Sequence, residues 1–166
     1  MDQENKNGDQ GKGRIPHDHN RDYDVEKDSI YPECNAIKEY ANEYGCHFGF
    51  DFHSPWHIGE QNDEIFIVQN SHKKLDKLNK FAEIFEQSIT EKSIRYDRKN
   101  DYPFETGWNM GGPQFALYMT NRPENDIAFS LENTYFGKIG NEVNEEKLLE
   151  LGRCFAKALK RYIEEK

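Results

Sequence analysis

The stretch His47-Phe48-Gly49-Phe50-Asp51-Phe52-His53 decides the fold, because aromatic residues occupy every second position between small or polar ones. Alternation with a period of two is typical of a β-strand whose two faces meet different surroundings. The Phe side chains are predicted to point toward one face, while Gly49, Asp51 and His53 share the other. A strand that ends in this way places an imidazole at the edge of a sheet.

The rest of the chain alternates predicted helices with predicted strands. Apolar residues at spacings of three and four predict amphipathic helices over residues 36–44, 75–89 and 145–162. Gly45 is a natural stop for the first helix, and Asn144 is a suitable N-cap for the last. Further strands are predicted over residues 65–68, 115–119 and 127–131, with a long irregular loop over 95–114. This order predicts an α/β fold with a central sheet covered by helices.

The length of 166 residues predicts one domain. Residues 1–12 are polar and are expected to form an N-terminal segment outside the domain, which would span residues 13–166. Hydrophobic residues make up only 35% of the chain, but 22 aromatic residues (11 Phe, 9 Tyr and 2 Trp) argue against wholesale disorder.

Composition excludes several functional classes. The net charge of −9 disfavours a general binder of nucleic acids or anionic membranes. No run approaches the roughly 20 apolar residues that a membrane helix needs, and the first residues lack the apolar core of a signal peptide. Three widely spaced cysteines contain no CxxC pair and no even disulfide framework, which favours reduced thiols and a cytoplasmic location.

Two candidate catalytic side chains lie at the ends of predicted strands. Glu132 follows the apolar run 127–131, and a carboxylate there can act as general base beside a metal-bound water. His53 can bind a metal through a neutral ring nitrogen. The alternatives are a surface carboxylate for Glu132 and a hydrogen-bonded structural residue for His53.

A second group of candidates lies in the stretch Arg14-Ile15-Pro16-His17-Asp18-His19-Asn20-Arg21. The guanidinium of Arg21 matches a carboxylate, the Asn20 amide can add a donor, and Arg14 can join them. Asp18 is either the partner of a metal-binding His or a turn residue. The alternative for the Asn-Arg pair is two solvated loop residues.

Two other patterns look like metal motifs. The histidines of His17-Asp18-His19 share a face only if the segment is a strand. His57-Ile58-Gly59-Glu60 has the His-x-x-Glu form, but it lies in a predicted loop four residues after His53, and we interpret it as a coincidence.

Taken together, three short blocks resemble the active-site blocks of the zinc carboxypeptidase (funnelin) family, in its bacterial and cytosolic-type branch. They are residues 8–23, Asp51-Phe52-His53-Ser54-Pro55 and Ser130-Leu131-Glu132. The resemblance covers roughly residues 8–165 and implies a mixed, twisted central sheet flanked by helices. It further implies a zinc-dependent hydrolase that removes C-terminal residues from peptides.

The resemblance assigns a role to each block. It implies that Asn20 and Arg21 bind the substrate's C-terminal carboxylate, and that Asp18 orients the first zinc-binding His. His53 would be a zinc ligand, and Glu132 would be the general base. Arg14 would polarise the scissile carbonyl and stabilise the oxyanion. The expected substrate is a peptide or amino-acid derivative with a free C-terminal carboxylate.

One block of the family is missing from its expected place. The His-x-x-Glu that supplies two of three zinc ligands normally lies well upstream of the Asn-Arg pair, whereas 19 residues precede Asn20 here. The chain therefore resembles an N-terminally truncated form of the family fold, with His53 as one ligand where a catalytic zinc uses three. Missing strands would expose a sheet edge, so self-association or a partner chain that supplies them is expected.

Three hypotheses remain open at this point. The chain is part of a zinc carboxypeptidase, or a module of the same fold that binds a peptide carboxylate without catalysis, or an inert structural remnant. Zinc content separates the first from the other two. Carboxylate binding through Arg21 separates the second from the third.

Overall fold

The computed structural model describes residues 15–55 and 64–166. The predicted boundary between residues 12 and 13 lies outside these ranges. The α-helices found there are α1 (Pro32–Tyr44), α2 (Leu75–Ser88), α3 (Phe115–Thr120) and α4 (Glu145–Glu164). The strands are β1 (Phe48–His53), β2 (Phe66–Val68), β3 (Ile127–Glu132), β4 (Gly137–Lys138) and β5 (Asn141–Glu142). Short 3-10 helices span His19–Arg21 and Arg98–Asn100.

The central sheet has three strands in the order β1-β3-β2. β1 runs parallel to β3, and β2 runs antiparallel to it, so the sheet is mixed. The small β4–β5 hairpin forms a separate sheet after β3. All six residues of β3 are buried, as expected for a central strand that is covered on both faces.

One face of the sheet carries the larger core. Helices α2 and α4 pack there against the odd-numbered side chains of β3, and aromatic rings fill the space between them. Phe81 and Phe129 are both fully buried, with ring centroids 5.3 Å apart. Phe50 of β1 lies on the same face, 5.1 Å from the Phe129 ring. The alternation seen in the sequence of β1 thus packs Phe48 and Phe50 against this core, whereas Phe52, at the end of the strand, remains 59% exposed.

The opposite face is covered by α1 and α3 around a smaller apolar cluster that includes Ala41, Met119 and Ala128. Gly49 of β1 allows α3 to approach closely. A Cβ atom at this position would lie 2.9 Å from Met119 Cβ, which is closer than side-chain carbons can pack. Beyond this contact, toward the ends of β1 and β3, the face becomes polar.

Two predicted helix boundaries are confirmed. Gly45 follows α1 with a φ of 72°, and its N–H bonds to Ala41 O. Asn144 caps α4 by accepting a hydrogen bond from Lys147 N at 2.9 Å. No helix within residues 15–55 and 64–166 combines the length and apolar character that crossing a membrane would need.

The predicted strand over residues 115–119 is wrong, because this segment forms helix α3. A short apolar run fits a buried helix as well as a buried strand. Gln114 provides an extended N-cap position, and Tyr118 N then bonds to Gln114 O at 2.9 Å. The α/β class with a mixed sheet and covering helices is confirmed, whereas the twist and the N-terminal truncation stay predictions.

Candidate functional site

The sheet brings His53 and Glu132 together. These residues end the neighbouring parallel strands β1 and β3, and they are direct register partners. Side chains of register partners point to the same face, here the face covered by α3. Glu132 is 8% exposed, whereas the His53 side chain is 44% exposed. A buried carboxylate thus lies beside an accessible imidazole at the carboxyl edge of the parallel pair, where ligands bind in open α/β sheets.

Asp51 lies two residues before His53 on the same face of β1 and binds it directly. The distance from Asp51 Oδ1 to His53 Nδ1 is 3.1 Å. The other carboxylate oxygen, Oδ2, accepts hydrogen bonds from Ser130 Oγ at 3.0 Å and from Asn20 Nδ2 at 2.9 Å. The carboxylate is 18% exposed, so these bonds are partly shielded from water.

The predicted carboxylate-binding pair lies on the 3-10 helix His19–Arg21, beside β1. Both polar atoms of the Asn20 amide form hydrogen bonds. Nδ2 donates to Asp51, and Oδ1 accepts from Phe115 N at 3.0 Å. Asn20 thereby joins this 3-10 helix to the start of α3. Arg21 Nη1 donates to Asn20 O at 3.2 Å, and no described carboxylate pairs with the Arg21 guanidinium.

Asp18 precedes the 3-10 helix, and its backbone oxygen accepts a hydrogen bond from Arg21 N at 2.9 Å. Its Oδ1 atom is buried and has no hydrogen-bond partner within the described residues. A buried acceptor of this kind normally has a donor, since desolvation without a hydrogen bond is costly. Asp18 therefore offers a place for an N–H or O–H group that the described residues do not supply.

Negative charge surrounds His53. The hydrogen bond to Asp51 raises the pKa of the imidazole above its usual value, and the charges of Asp51, Glu132 and Asp18 act in the same direction. Partial burial opposes this effect without cancelling it. Because a metal binds the neutral ring, the imidazole has to release a proton before it can serve as a ligand.

The other histidines of the N-terminal block face different partners. His17 Nε2 lies 2.9 Å from Asp22 Oδ1, and His19 Nε2 lies 2.5 Å from Glu33 Oε1. Each of these two rings is thus bonded to a different carboxylate. Arg14 and the His57-x-x-Glu60 pattern lie outside the described residues.

A catalytic zinc normally requires three protein ligands and one open position. The donor types at the carboxyl edge are suitable, since His53 offers an imidazole and Asp18 an acceptor for a ligand's second N–H. Within residues 15–55 and 64–166, however, no three His, Cys, Asp or Glu side chains come close enough to hold a metal ion. This part of the chain therefore does not fit a catalytic zinc on its own.

The long loop after the second 3-10 helix holds an aromatic pair. Tyr102 and Trp108 stack with ring centroids 4.7 Å apart and an interplanar angle of 15°. Gly107 makes this arrangement possible, because a Cβ atom there would lie 2.2 Å from the Tyr102 hydroxyl. The Trp108 side chain remains 55% exposed. The sequence had predicted this segment as part of a long irregular loop over residues 95–114.

Three groups in the hydrogen bonds around Asp51 and Asn20 were not recognised as parts of the site from the sequence. Asp51 carried a usable signal, since alternation already placed it on the same face as His53. Ser130 carried the same signal two residues before Glu132. The backbone N–H of Phe115 carried none, because it meets Asn20 only after α3 docks across the sheet.

No family model matches the chain, and no curated protein matches it. Among solved structures, the chain is similar to a metallo-carboxypeptidase from Burkholderia cenocepacia, with a TM-score of 0.65 and 15% sequence identity. The matched region covers 89% of this chain and 38% of the carboxypeptidase chain. At this identity the likeness concerns the fold alone. The chain thus has a carboxypeptidase-like fold and spans little more than a third of the solved protein.

Proposed function

We propose that this chain forms part of the catalytic domain of a metallo-carboxypeptidase-type hydrolase, which removes C-terminal residues from peptides. One observation carries the proposal. His53 and Glu132 are register partners at the carboxyl edge of two parallel strands, within a fold similar to that of a metallo-carboxypeptidase. A metal-binding imidazole beside a general-base carboxylate is the minimum that such hydrolysis needs from this part of a domain.

In this proposal each residue contributes through its own chemistry. Glu132 accepts the proton of the attacking water and returns it to the leaving amine. Arg21 binds the terminal carboxylate of the peptide through its guanidinium, with Asn20 beside it as a further donor. Arg14, outside the described residues, is proposed to stabilise the oxyanion.

Zinc is the proposed cofactor, with His53 as one of its ligands. When bound, the metal would supply Lewis-acid activation of water and of the scissile carbonyl. Its other ligands are proposed to come from outside residues 15–55 and 64–166. The buried Oδ1 of Asp18 supports this view, because it lacks a donor that an incoming imidazole N–H could provide.

A second polypeptide, or a second copy of this chain, is the proposed source of further strands and ligands. Within the described residues, β1 pairs with β3 on one side and with no strand on its other side. The unpaired edge lies directly beside His53, and a long uncovered edge favours the addition of a strand. The proposed location is cytoplasmic, which rests on the three free thiols of Cys34, Cys46 and Cys154.

The alternative function is a catalytically inactive module that binds a peptide carboxylate. One observation favours it: the described residues gather no three metal ligands. In this case Arg21 and Asn20 keep their binding role, and His53 and Glu132 line the pocket without catalysing hydrolysis.

Zinc stoichiometry decides between the two functions. Elemental analysis of the purified chain is expected to find zinc that is lost in His53→Ala if the catalytic proposal holds, and the bound form should hydrolyse an acylated dipeptide. Zinc near zero, both alone and after self-association, would leave the binding module as the better description.

Carboxylate recognition is tested by calorimetric titration with an acylated dipeptide and with its C-terminal amide. Arg21→Ala is expected to weaken binding of the free acid by about 10- to 100-fold, since a charge-assisted hydrogen bond contributes about 1.5–3 kcal/mol. The amide should bind wild type and variant equally. Arg95→Ala, at a guanidinium that is paired with Asp97, serves as the control for loss of one positive charge. Unchanged affinity of Arg21→Ala for the free acid would exclude carboxylate binding by Arg21, which both the hydrolase and the binding module require.

A further inference from the structure

The outer edge of β1 is the open side of the central sheet. β1 pairs with β3 on its inner side, and no strand within residues 15–55 and 64–166 pairs with its outer side. The opposite edge of the sheet, formed by β2, is closed by the long loop, because Tyr102 N donates to Ile67 O at 2.8 Å. The sheet can therefore gain a strand beside β1.

The aromatic residues of β1 direct their backbone groups toward this open edge. His53 O accepts a hydrogen bond from Asn133 N at 2.7 Å, so the odd-numbered residues of β1 bond toward β3. Successive residues of a strand point their N–H and C=O groups to opposite sides. Phe48, Phe50 and Phe52 therefore present these groups to the outside.

This edge lacks the usual protection against pairing. Exposed sheet edges in proteins are commonly protected by Lys or Pro, and β1 contains neither. Its one charged side chain, Asp51, is held within its own chain by Asn20 and Ser130. Phe52 packs against the Phe155 ring at 5.1 Å between centroids but remains 59% exposed. The edge thus offers backbone hydrogen bonds together with apolar surface.

We propose that a second copy of this chain covers this edge, with the two β1 strands antiparallel around a two-fold axis at Phe50. Such an axis, perpendicular to the sheet, places Phe50 opposite the partner's Phe50 and Phe48 opposite the partner's Phe52. These are hydrogen-bonded pairs, because the same residues direct their backbone groups to the edge. The sheet would then continue from one subunit into the other.

Charge and aromatic pairing select this register over its neighbours. With the axis at Asp51, this carboxylate would lie opposite the partner's Asp51, and like charges directly opposite each other are destabilising. With the axis at Gly49, Phe52 would lie opposite the partner's Cys46, which precedes the strand. The axis at Phe50 places Asp51 opposite the partner's Gly49. It also gives every Phe of the strand an aromatic partner, which stabilises a strand pair.

The second copy also contributes a side chain to the candidate site. In this register the partner's His47 lies opposite His53, on the polar face that carries Glu132. His47 is exposed, and its Nδ1 atom lies 2.9 Å from Glu124 O. The inference rests on the proposed function in one respect, since it identifies the partner that supplies a further strand and a further imidazole.

The first test is sedimentation of the full chain, without zinc or substrate, across a range of protein concentrations. We expect a species of twice the 19.6 kDa monomer mass that dissociates on dilution. The net charge of −9 opposes self-association, so salt at about 0.15 M is needed to limit the repulsion to a Debye length of about 8 Å. A monomer at all concentrations overturns the proposal and leaves another polypeptide as the source of strands.

Phe52→Lys tests whether the association uses the β1 edge. It should raise the dissociation constant by about 10-fold or more, because each dimer loses two aromatic pairs and has to accommodate two charges. Phe136→Lys is the matched control, since Phe136 is 63% exposed on the hairpin after β3. It should leave the constant unchanged. A dimer that is weakened by Phe136→Lys and not by Phe52→Lys contradicts the proposed interface.

The register is tested by disulfide formation between two single variants, His47→Cys and His53→Cys. Cα atoms of a non-hydrogen-bonded antiparallel pair lie about 4.5 Å apart, a distance that a disulfide spans. Both variants carry Cys46→Ser, which removes the one thiol that is not buried and keeps a donor to Phe48 O. Oxidation of the mixture should link the two different chains.

Each cysteine variant oxidised by itself is the control for the register. Two copies of residue 47 lie at opposite ends of the strand pair, about 20 Å apart, and should not link. Links between like variants, or none in the mixture, overturn the register. If Phe52→Lys does not fold, the mass of the wild type and this cross-link still decide. Failure of the hydrolase appears separately, as a dimer without zinc or hydrolysis.

Discussion

The carboxylates at the two ends of strand β3 have different surroundings. At the amino end, Asp126 is 5% exposed and binds two lysines, with Lys77 Nζ at 2.8 Å and Lys166 Nζ at 2.6 Å. The Tyr162 hydroxyl adds a hydrogen bond at 2.9 Å. At the carboxyl end, Glu132 faces His53, and the donors to neighbouring Asp51 are a histidine, a serine and an asparagine.

The two surroundings shift pKa values in opposite directions: that of Asp126 is lowered, and that of His53 is raised. Burial opposes ionisation of Asp126, but the hydrogen bonds from Lys166, Lys77 and Tyr162 outweigh it and lower the pKa of Asp126 to about 2. At the carboxyl end, the carboxylates of Asp51, Glu132 and Asp18 instead raise the pKa of His53. The amino end is thus arranged for stability, whereas the carboxyl end keeps negative charge close to a titratable group, as functional sites often do.

The largest expected effect comes from the middle of the strand that joins the two ends. Phe129 is fully buried among Phe50, Phe81 and Phe155. Phe129→Ala should lower the free energy of unfolding by about 3–5 kcal/mol, since it leaves a large cavity in an aromatic core. Urea unfolding measures this change. Both ends of β3 depend on this core, so the His53 NMR signals should broaden as well.

Phe136→Ala is the control for Phe129→Ala. The Phe136 side chain is 63% exposed on the hairpin after β3, so the stability change should stay within about 0.5 kcal/mol. Equal effects of the two substitutions would contradict the assignment of the main core to the α2 and α4 side of the sheet.

The second-largest expected effect comes from removing the negative charge of Asp126 at the amino end of β3. Asp126→Asn should lower the free energy of unfolding by about 2 kcal/mol near neutral pH, because a pKa lowered from 3.8 to about 2 corresponds to that stabilisation. The carboxylate has a depressed pKa in the folded state. Its contribution is therefore present above pH 3.8 and is lost as pH falls toward about 2.

Urea unfolding of wild type and Asp126→Asn across the acid range checks this prediction. The two stabilities should converge at the lowest pH, where the wild-type carboxyl is protonated. A difference that stays constant with pH would mean that the variant acts through packing, and the ion pairs with Lys77 and Lys166 would then contribute little.

The smallest expected effect concerns the carboxyl end of β3. Glu132→Gln removes one of the negative charges near His53, so the pKa of the imidazole should fall toward its usual value. Proton NMR titration of the His53 ring measures the shift. Asp126→Asn, at the opposite end of β3, should leave this pKa where it is, and an unchanged value in Glu132→Gln would contradict the close approach of the two side chains.

Much of the local structure could be predicted from the sequence. The alternation in residues 47–53 predicts β1 and its two faces, because a pleated strand places successive side chains on opposite sides. Gly45 and Asn144 predict helix ends through backbone freedom and side-chain capping. The helix over residues 115–120 was mistaken for a strand, because a run of five apolar residues carries no distinguishing period.

The candidate site was likewise predicted only in part. The sequence named His53 and Glu132 separately, as polar residues that end apolar strands. Their position side by side depends on the parallel register of β1 with β3, which no local pattern records. The role of Asn20 as a support for Asp51 was not predicted, because resemblance to a family motif assigned it to a substrate.

By itself, the sequence determined helices α1, α2 and α4, strands β1, β2 and β3, and the chemical groups that are available at the strand ends. These properties follow from backbone geometry and from hydrophobic burial over a few residues. The tertiary structure alone decided that Asn20 reaches Asp51 across 31 residues and Phe115 N across 95, and that two lysines neutralise Asp126 at the far end of β3. Such contacts form only when separate elements pack against the same strand, so no spacing within the chain can encode them locally.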